Sequence, residues 1–402
     1  MFDIVIRNAT TRKFKDPVDI GIENSKIKEI GKIHGKGNLE IDATSKLVTE
    51  SFVNTHLHLC KVYTLMMMSE EALKDYHGSD MGKAMTAIEL AAKIKEKYDE
   101  SWIIENVRKA LKHAALYGVT HVRAFADVDS KARLEGVKAL IKAREEFKGI
   151  VDVQVVAFPQ DGVVREEGAF ELMQQAMELG ADVVGGIPWI EFTDKDEQTH
   201  IDKMFELAKK YKKDISMLVD DAGDPTLKTL EMLTVKTIEE NWNGRVLAHH
   251  ARAMSMYPIP YFMKLVSLLK KGKVGVVTDP HTGPLHARVR ELIDEKALVV
   301  LGQDDISDAY YPFGRNNMLE VAFLASHILW MTSSEDLEKL YDMITFDAAK
   351  AINVRDFGLE VGATANLVVL REPSVLEALR YHEEPELVIS HGKVVDREKF
   401  RL

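Results

Sequence analysis

His56 and His58 stand two residues apart in Val53-Asn54-Thr55-His56-Leu57-His58, at the end of the mostly apolar stretch from Leu47 to Val53. On a β-strand side chains alternate with a period of two, so both rings leave the same face. Neutral imidazole is the commonest metal-binding side chain, and two of them supply half of a four-ligand shell. Metal-assisted chemistry is therefore the first expectation. Its competitor is a pair of surface or hydrogen-bonded core histidines, because short motifs recur by chance.

Further donors follow other β-rich runs. Asp304-Asp305 come after Leu298-Val299-Val300-Leu301-Gly302, and Asp220-Asp221 end another such run. A buried carboxylate at a strand end is costly unless paired or metal-bound, so both pairs read as functional. His249-His250 end a further strand, and strict alternation lets only one of them face inward. His281 and His286 lie in a loop that could line a mouth. His34, His77, His113, His200, His327, His382 and His391 fall in helices, turns or the chain's flanks, and His121 lies inside a strand; solvated or structural roles are expected for these.

The elements that must position these groups alternate short β-branched runs with amphipathic helical stretches, the pattern of βα units around a parallel sheet. Eight strands are expected, near 52–58, 119–126, 151–157, 182–187, 214–220, 245–249, 273–278 and 297–302. Helical periodicity lies between them, as over 101–116, 134–146, 169–179, 201–210, 227–241 and 260–270. This fits an α/β fold of the (β/α)8 (TIM) barrel type over 51–354, with its active site at the C-terminal ends of the strands. Residues 1–50 and 355–402 instead hold short alternating strands, including a hairpin about Asn24-Ser25. Each set is too small to bury a core, so the two are expected to form one composite β-sandwich. Met66-Met67-Met68 follows the first strand where a loop over the mouth would sit, and gap-filling core is favoured there over a substrate-facing lid.

Composition narrows the partners. The 402 residues are 46% hydrophobic and carry a net charge of −11 without a Lys/Arg block, which argues against nucleic acid and anionic membrane surfaces. No apolar run reaches the roughly 18 residues of a membrane helix, and no signal-peptide h-region opens the chain, so a cytoplasmic location is expected. The single cysteine, Cys60, precludes an intramolecular disulfide and a cysteine-based zinc cage. It also excludes the small zinc deaminases, which need a Pro-Cys-x-x-Cys pair.

Several segments together resemble a known family. Thr55-His56-Leu57-His58, Ala157-Phe158-Pro159-Gln160, Gly180-Ala181-Asp182-Val183-Val184-Gly185, Asp304-Asp305 with Tyr311-Pro312-Phe313-Gly314, and the segment from Gly358 to Leu367 are similar, in register, to the cytosine deaminase branch of the amidohydrolase superfamily. The resemblance implies a mononuclear barrel hydrolase that removes ammonia or an amine from a small nitrogen heterocycle, with homo-oligomers as the family habit. It implies one divalent metal ion, Zn or Fe with Mn also acceptable, held by His56, His58 and Asp304. Asp304 would take a proton from water activated by the ion, His250 would stabilise the nucleophile and developing ring charge, and Asp221 would occupy the place of the proton-shuttling acid. Gln160 would read a ring carbonyl and N–H, Tyr310 would pack on the ring, and Asp305 would stand beside the metal ligand.

The chain departs from that pattern at the chemistry. Where the family opens a His-x-Asp-Glu motif with a metal-binding histidine, this chain has Leu218-Val219-Asp220-Asp221, and Gln303 and Trp189 also replace histidines. A carboxylate one methylene shorter acts only if substrate or backbone moves by about 1 Å, a misplacement able to cost on the order of 100-fold. His250 could complete the metal shell, Asp220 or Asp221 could do so, or the site could be weakly metallated. The expected protein is a metal-dependent amidohydrolase or deaminase acting on a small nitrogen heterocycle, a cytosine-like pyrimidine or a related ring. The alternatives are hydrolysis of another cyclic amidine or N-alkylamino ring such as an aminotriazine, and a catalytically impaired member serving as a binding or assembly subunit. The retention of His56, His58, His250, Asp304 and Gln160 favours the enzyme.

Overall fold

The computed structural model describes residues 1–67 and 92–401. Among these, the eight expected strands form one parallel sheet: Phe52–Leu57, Val119–Asp127, Asp152–Phe158, Val183–Gly186, Asp214–Val219, Val246–His250, Gly275–Thr278 and Val299–Leu301. Each pairs with its neighbours in chain order. A parallel bridge between Leu57 and Asp304 joins first strand to last and brings the sheet round into a barrel. The first two strands are buried along their whole length, as expected for β-branched and small residues packed on both faces of a parallel sheet.

Helices cover the outside by the usual spacing of apolar positions. In Glu100–Leu116, Ile103, Val107, Ala110, Leu111 and Ala114 recur at three- and four-residue intervals and are buried, while Asp99 caps the first turn by accepting from the Ser101 N–H. Ala169–Leu179 stops at Gly180, whose φ of 110° suits a residue without Cβ. Near the ends where the barrel strands begin, Val53, Leu247, Val277 and Val300 pack on Ala348, Ile352 and Phe357 and close the barrel floor.

The terminal segments form two small sheets. One orders Lys26–Gly31, Val18–Glu23, Phe2–Ala9 and Gly37–Asp42; the other orders Lys393–Val394, Leu387–Ser390, Leu367–Val369 and Val48–Glu50. Ile4, Ile6, Ile20 and Ile22 of the first share one apolar core with Leu367, Val369 and Ile389 of the second, the expected sandwich. The hairpin turns at Asn24 (φ 51°) and Ser25 (φ 64°), both left-handed as its two-residue loop demands.

The methionine expectation fails. Met66 is 90% exposed and Met67 is also exposed, on a short turn after the first strand, so neither fills the core. Met68 and His77 lie outside the described residues. Among the described residues, no helix is long and apolar enough to cross a membrane.

Candidate active site

Three barrel strands deliver the central donors. His56 sits in the first strand and His58 just beyond it, His250 ends the sixth, and Asp304 follows the eighth. Their ligand atoms lie within 4.8 Å of one another, and all four residues are buried. Asp304 Oδ1 is 3.1 Å from His56 Nε2, 3.8 Å from His58 Nε2 and 4.0 Å from His250 Nε2. His56 Nε2 is buried without a hydrogen-bond partner among the described residues. Three imidazole nitrogens and one carboxylate around such an atom make a borderline N/O set suited to Zn or Fe. His56, His58, His250 and Asp304 therefore fit one divalent ion, with no donor from Leu218 among them.

Electrostatics divide the cluster. Burial pushes His56, His58 and His249 well below the ordinary histidine range, which keeps their rings neutral. Burial alone would lower His250 as well, but Asp221, Asp279 and Asp304 outweigh it and push it up to about 10. Burial and the neighbouring Asp279 and Asp305 hold the Asp304 carboxyl well above its usual range. Asp279 goes the other way: burial opposes its charge, yet His250 and Arg252 keep it ionised.

Asp279, just after the seventh strand, was not anticipated. Its Oδ1 lies 2.8 Å from His250 Nδ1 and its Oδ2 accepts from Arg252 Nη2 at 3.1 Å. A carboxylate on one ring nitrogen turns the other toward the cluster, the usual support for a metal-binding histidine. Arg252 was likewise missed; its Nε donates to Asp221 Oδ1 at 2.7 Å and its Nη2 approaches Asp304 Oδ2 at 3.6 Å.

Both members of His249-His250 reach His56, contrary to the alternation argument. The His249 and His250 rings lie 4.7 and 4.9 Å from the His56 ring, and His249 Nδ1 is 2.7 Å from His56 Nδ1. The reason is backbone: His250 has φ 67°, which breaks the extended geometry at the strand end.

Asp220 is also a correction. It is fully buried with φ 47° and turns away from the cluster. Its Oδ1 accepts from the Thr229 N–H and hydroxyl, both at 2.7 Å, and Oδ2 accepts from the Tyr257 hydroxyl. It fastens the start of helix Thr229–Glu239 and is no ligand. Asp221 remains at the mouth, with Oδ2 4.0 Å from His250 Nε2 and Oδ1 tied to Arg252. Leu218 packs with Phe125, Phe158, Trp189 and Ile187 in an apolar patch, and Phe125 and Phe158 lie 5.3 and 5.4 Å from the His58 ring.

Gln160, Asp305 and Tyr310 gather about a residue the sequence did not single out, Lys61. Its buried ammonium donates to Gln160 Oε1 at 2.8 Å, stands 3.6 Å from Asp127 and lies 4.8 Å over the Tyr310 ring. Burial opposes that charge, but Asp127, Tyr310, Cys60 and Asp305 more than compensate and keep Lys61 protonated. Burial, with Asp308 beside it, holds Asp305 well above its usual range, and burial brings Asp308 to about 6. Asp308 Oδ1 accepts from the N–H groups of Tyr310 and Tyr311, which sets the turn that carries Tyr310. Gln303 and His281 border the same mouth, with His281 Nε2 3.2 Å from the Gln303 carbonyl oxygen. A buried cation, an amide and a tyrosine ring beside a metal-type cluster can hold a flat, oxygen-bearing ring.

Comparison with known proteins agrees with this geometry. Residues 39–396 match the amidohydrolase family. The N-isopropylammelide isopropyl amidohydrolase of Pseudomonas sp. (strain ADP) is 30% identical over 403 aligned residues, covering 99% of this chain and 98% of that one. The structure of 5-methylcytosine deaminase from Klebsiella pneumoniae with 5-fluorocytosine superposes with a TM-score of 0.89 at 29% identity, over 97% of each chain. An atrazine chlorohydrolase of Arthrobacter aurescens TC1 solved with zinc shares the fold, with a TM-score of 0.74 at 18% identity over 99% of this chain and 98% of that one.

Proposed function

The chain belongs to the amidohydrolase family, and on that premise we propose that it hydrolyses the exocyclic amino or alkylamino group of a small, oxo-substituted nitrogen heterocycle, a pyrimidine or a triazine. One observation carries the reading: His56, His58, His250 and Asp304 converge within 4.8 Å at the barrel mouth although the fifth strand offers only Leu218. These four residues would hold one divalent ion, zinc being the first choice for the N/O set. Such an ion, when bound, brings the pKa of water toward 7 and so supplies a nucleophile at neutral pH.

The chain's own groups do the rest. Asp304 accepts a proton beside the reacting carbon, and Asp279, bonded to His250 Nδ1, holds the His250 ring in the ligand orientation. Asp221 takes the position from which a proton can pass to the leaving amine; its bond to Arg252 fixes that carboxylate rather than leaving it to swing. Lys61 and Gln160 face the ring oxygens. A buried cation there favours a substrate whose carbonyl gains negative charge as the ring is attacked. Phe125, Phe158 and Tyr310 supply apolar faces for a planar ring.

The test is a substrate panel on protein loaded in turn with Zn, Fe or Mn, with released ammonia or alkylamine measured. The panel holds cytosine, 5-methylcytosine, aminotriazines and N-alkylamino-triazines that carry ring oxo groups. Turnover of at least one, abolished by His58→Ala, is expected. No bound metal in any preparation, together with no release from any compound, would overturn the enzyme reading in favour of a binding or assembly subunit.

A further inference from the structure

At the other end of the barrel a second set of ligand-type atoms comes together. His121 lies near the start of the second barrel strand, Asp152 opens the third, and His391 turns the last hairpin of the C-terminal sheet. His391 Nε2 is 2.8 Å from Asp152 Oδ2, His121 Nε2 is 3.7 Å from the same oxygen, and one ligand atom from each residue lies within 4.8 Å of the others. The three residues border an open cavity of about 280 Å³ that also touches Gln154, Asn366 and Arg355.

We propose that His121, Asp152 and His391 form a second, structural site for a divalent transition-metal ion such as Zn²⁺, clamping the C-terminal sheet to the base of the barrel.

Geometry and chemistry both support an ion here. Ligands about 2.05 Å from a tetrahedral centre stand about 3.3 Å from one another. The His121–Asp152 separation is already slightly wider, and the His391–Asp152 contact opens to that value by a shift of about 0.5 Å. His391 can make the shift because its ring is partly exposed, whereas its backbone is pinned by the bond from its N–H to Asn366 Oδ1 at 2.7 Å. The site's support is also in place. His121 Nδ1 is 2.8 Å from Thr120 Oγ1, which in turn is 2.6 Å from Ser51 Oγ. In the tautomer that donates Nδ1–H to Thr120, the His121 Nε2 lone pair points toward the Asp152 carboxylate, an arrangement that a cation relieves. Two imidazoles and one carboxylate supply three of four tetrahedral positions, and the fourth faces the cavity, where water can fill it.

The site is separable from the mouth by mutation. Full-length protein and a His56→Ala/His58→Ala variant are equilibrated with ZnCl2, freed of excess metal by gel filtration, and assayed for zinc per chain. The expected result is one equivalent retained in the double variant and none when His391→Asn is added. In the otherwise unchanged protein, His391→Asn and Asp152→Asn should each remove one equivalent, keep catalytic turnover and shrink the zinc-dependent rise in Tm to the part supplied by the mouth ion. Asn is chosen at 391 because φ there is 49°, which asparagine tolerates. Equal zinc content and equal zinc-dependent Tm in wild type, His391→Asn and Asp152→Asn would overturn the proposal, and so would a His56→Ala/His58→Ala protein that binds no zinc.

Discussion

Asp279→Asn is the sharpest test of how the mouth is built. In wild type, Asp279 Oδ1 lies 2.8 Å from His250 Nδ1 while Oδ2 takes a bond from Arg252, so one carboxylate sets both the ring orientation of the fourth ligand and the nearest guanidinium. The amide keeps the size and removes the charge. Loss of a carboxylate behind a metal-binding histidine typically weakens metal affinity 10- to 100-fold, about 1.4 to 2.7 kcal/mol. Zinc affinity by competition with a chromophoric chelator at pH 7.5 reads the effect directly. Asp221→Asn is the control. Its carboxylate is 4.0 Å from His250 Nε2 and partly exposed, and removing it should shift zinc affinity by less than about fivefold. Wild-type affinity in Asp279→Asn, or an equal loss in Asp221→Asn, would refute the assignment of His250 as the ligand that replaces the fifth-strand histidine.

Three further outcomes follow from the same structure. Asp220→Asn removes the charge from a buried acceptor of several hydrogen bonds; it should cost on the order of 2 kcal/mol in urea unfolding and leave zinc content unchanged. A change in metal stoichiometry there would contradict its structural role. Burial, aided by Asp194, Asp220 and Glu191, raises the Glu197 carboxyl from 4.5 to about 7. The folded value lies above the unfolded one, so the stability tied to the protonated form is full below about 4.5 and lost as pH rises through about 7. Glu197→Gln should therefore raise Tm relative to wild type above pH 7 and match it below pH 4.5; a pH-independent difference would sink this reading. Leu218→His with Asp221→Glu should lose about 2 to 3 kcal/mol by breaking the apolar patch, while gaining zinc affinity and ammonia release from cytosine. No gain in either would show that the residue at 218 does not limit the site.

Much of the scaffold was legible because its signals are local. Each barrel strand is a short β-branched run between helical periodicities, and His56, His58 and Asp304 sit at strand ends where a barrel places its chemistry. What escaped depends on rotations and reach that no periodicity encodes. A left-handed backbone at Asp220 sends its carboxylate outward to Thr229, and another at His250 brings two consecutive imidazoles to one ring. Asp279 obeys the strand-end rule but precedes Pro280 and so reads as a turn residue. Lys61 and Arg252 act through head groups several bonds from the backbone, positioned by carboxylates brought close only in three dimensions.

The 2.7 Å contact between His56 Nδ1 and His249 Nδ1 admits a single hydrogen. An ion held by His56 Nε2 leaves Nδ1–H as the donor, which obliges His249 to accept there and to carry its own hydrogen on Nε2. The two rings thus form a tautomeric relay: the state of the ion is written onto an imidazole that never touches it. Nitrogen-15 shifts of His249 become a built-in gauge of occupancy at the mouth, readable without substrate and without disturbing the ligands themselves.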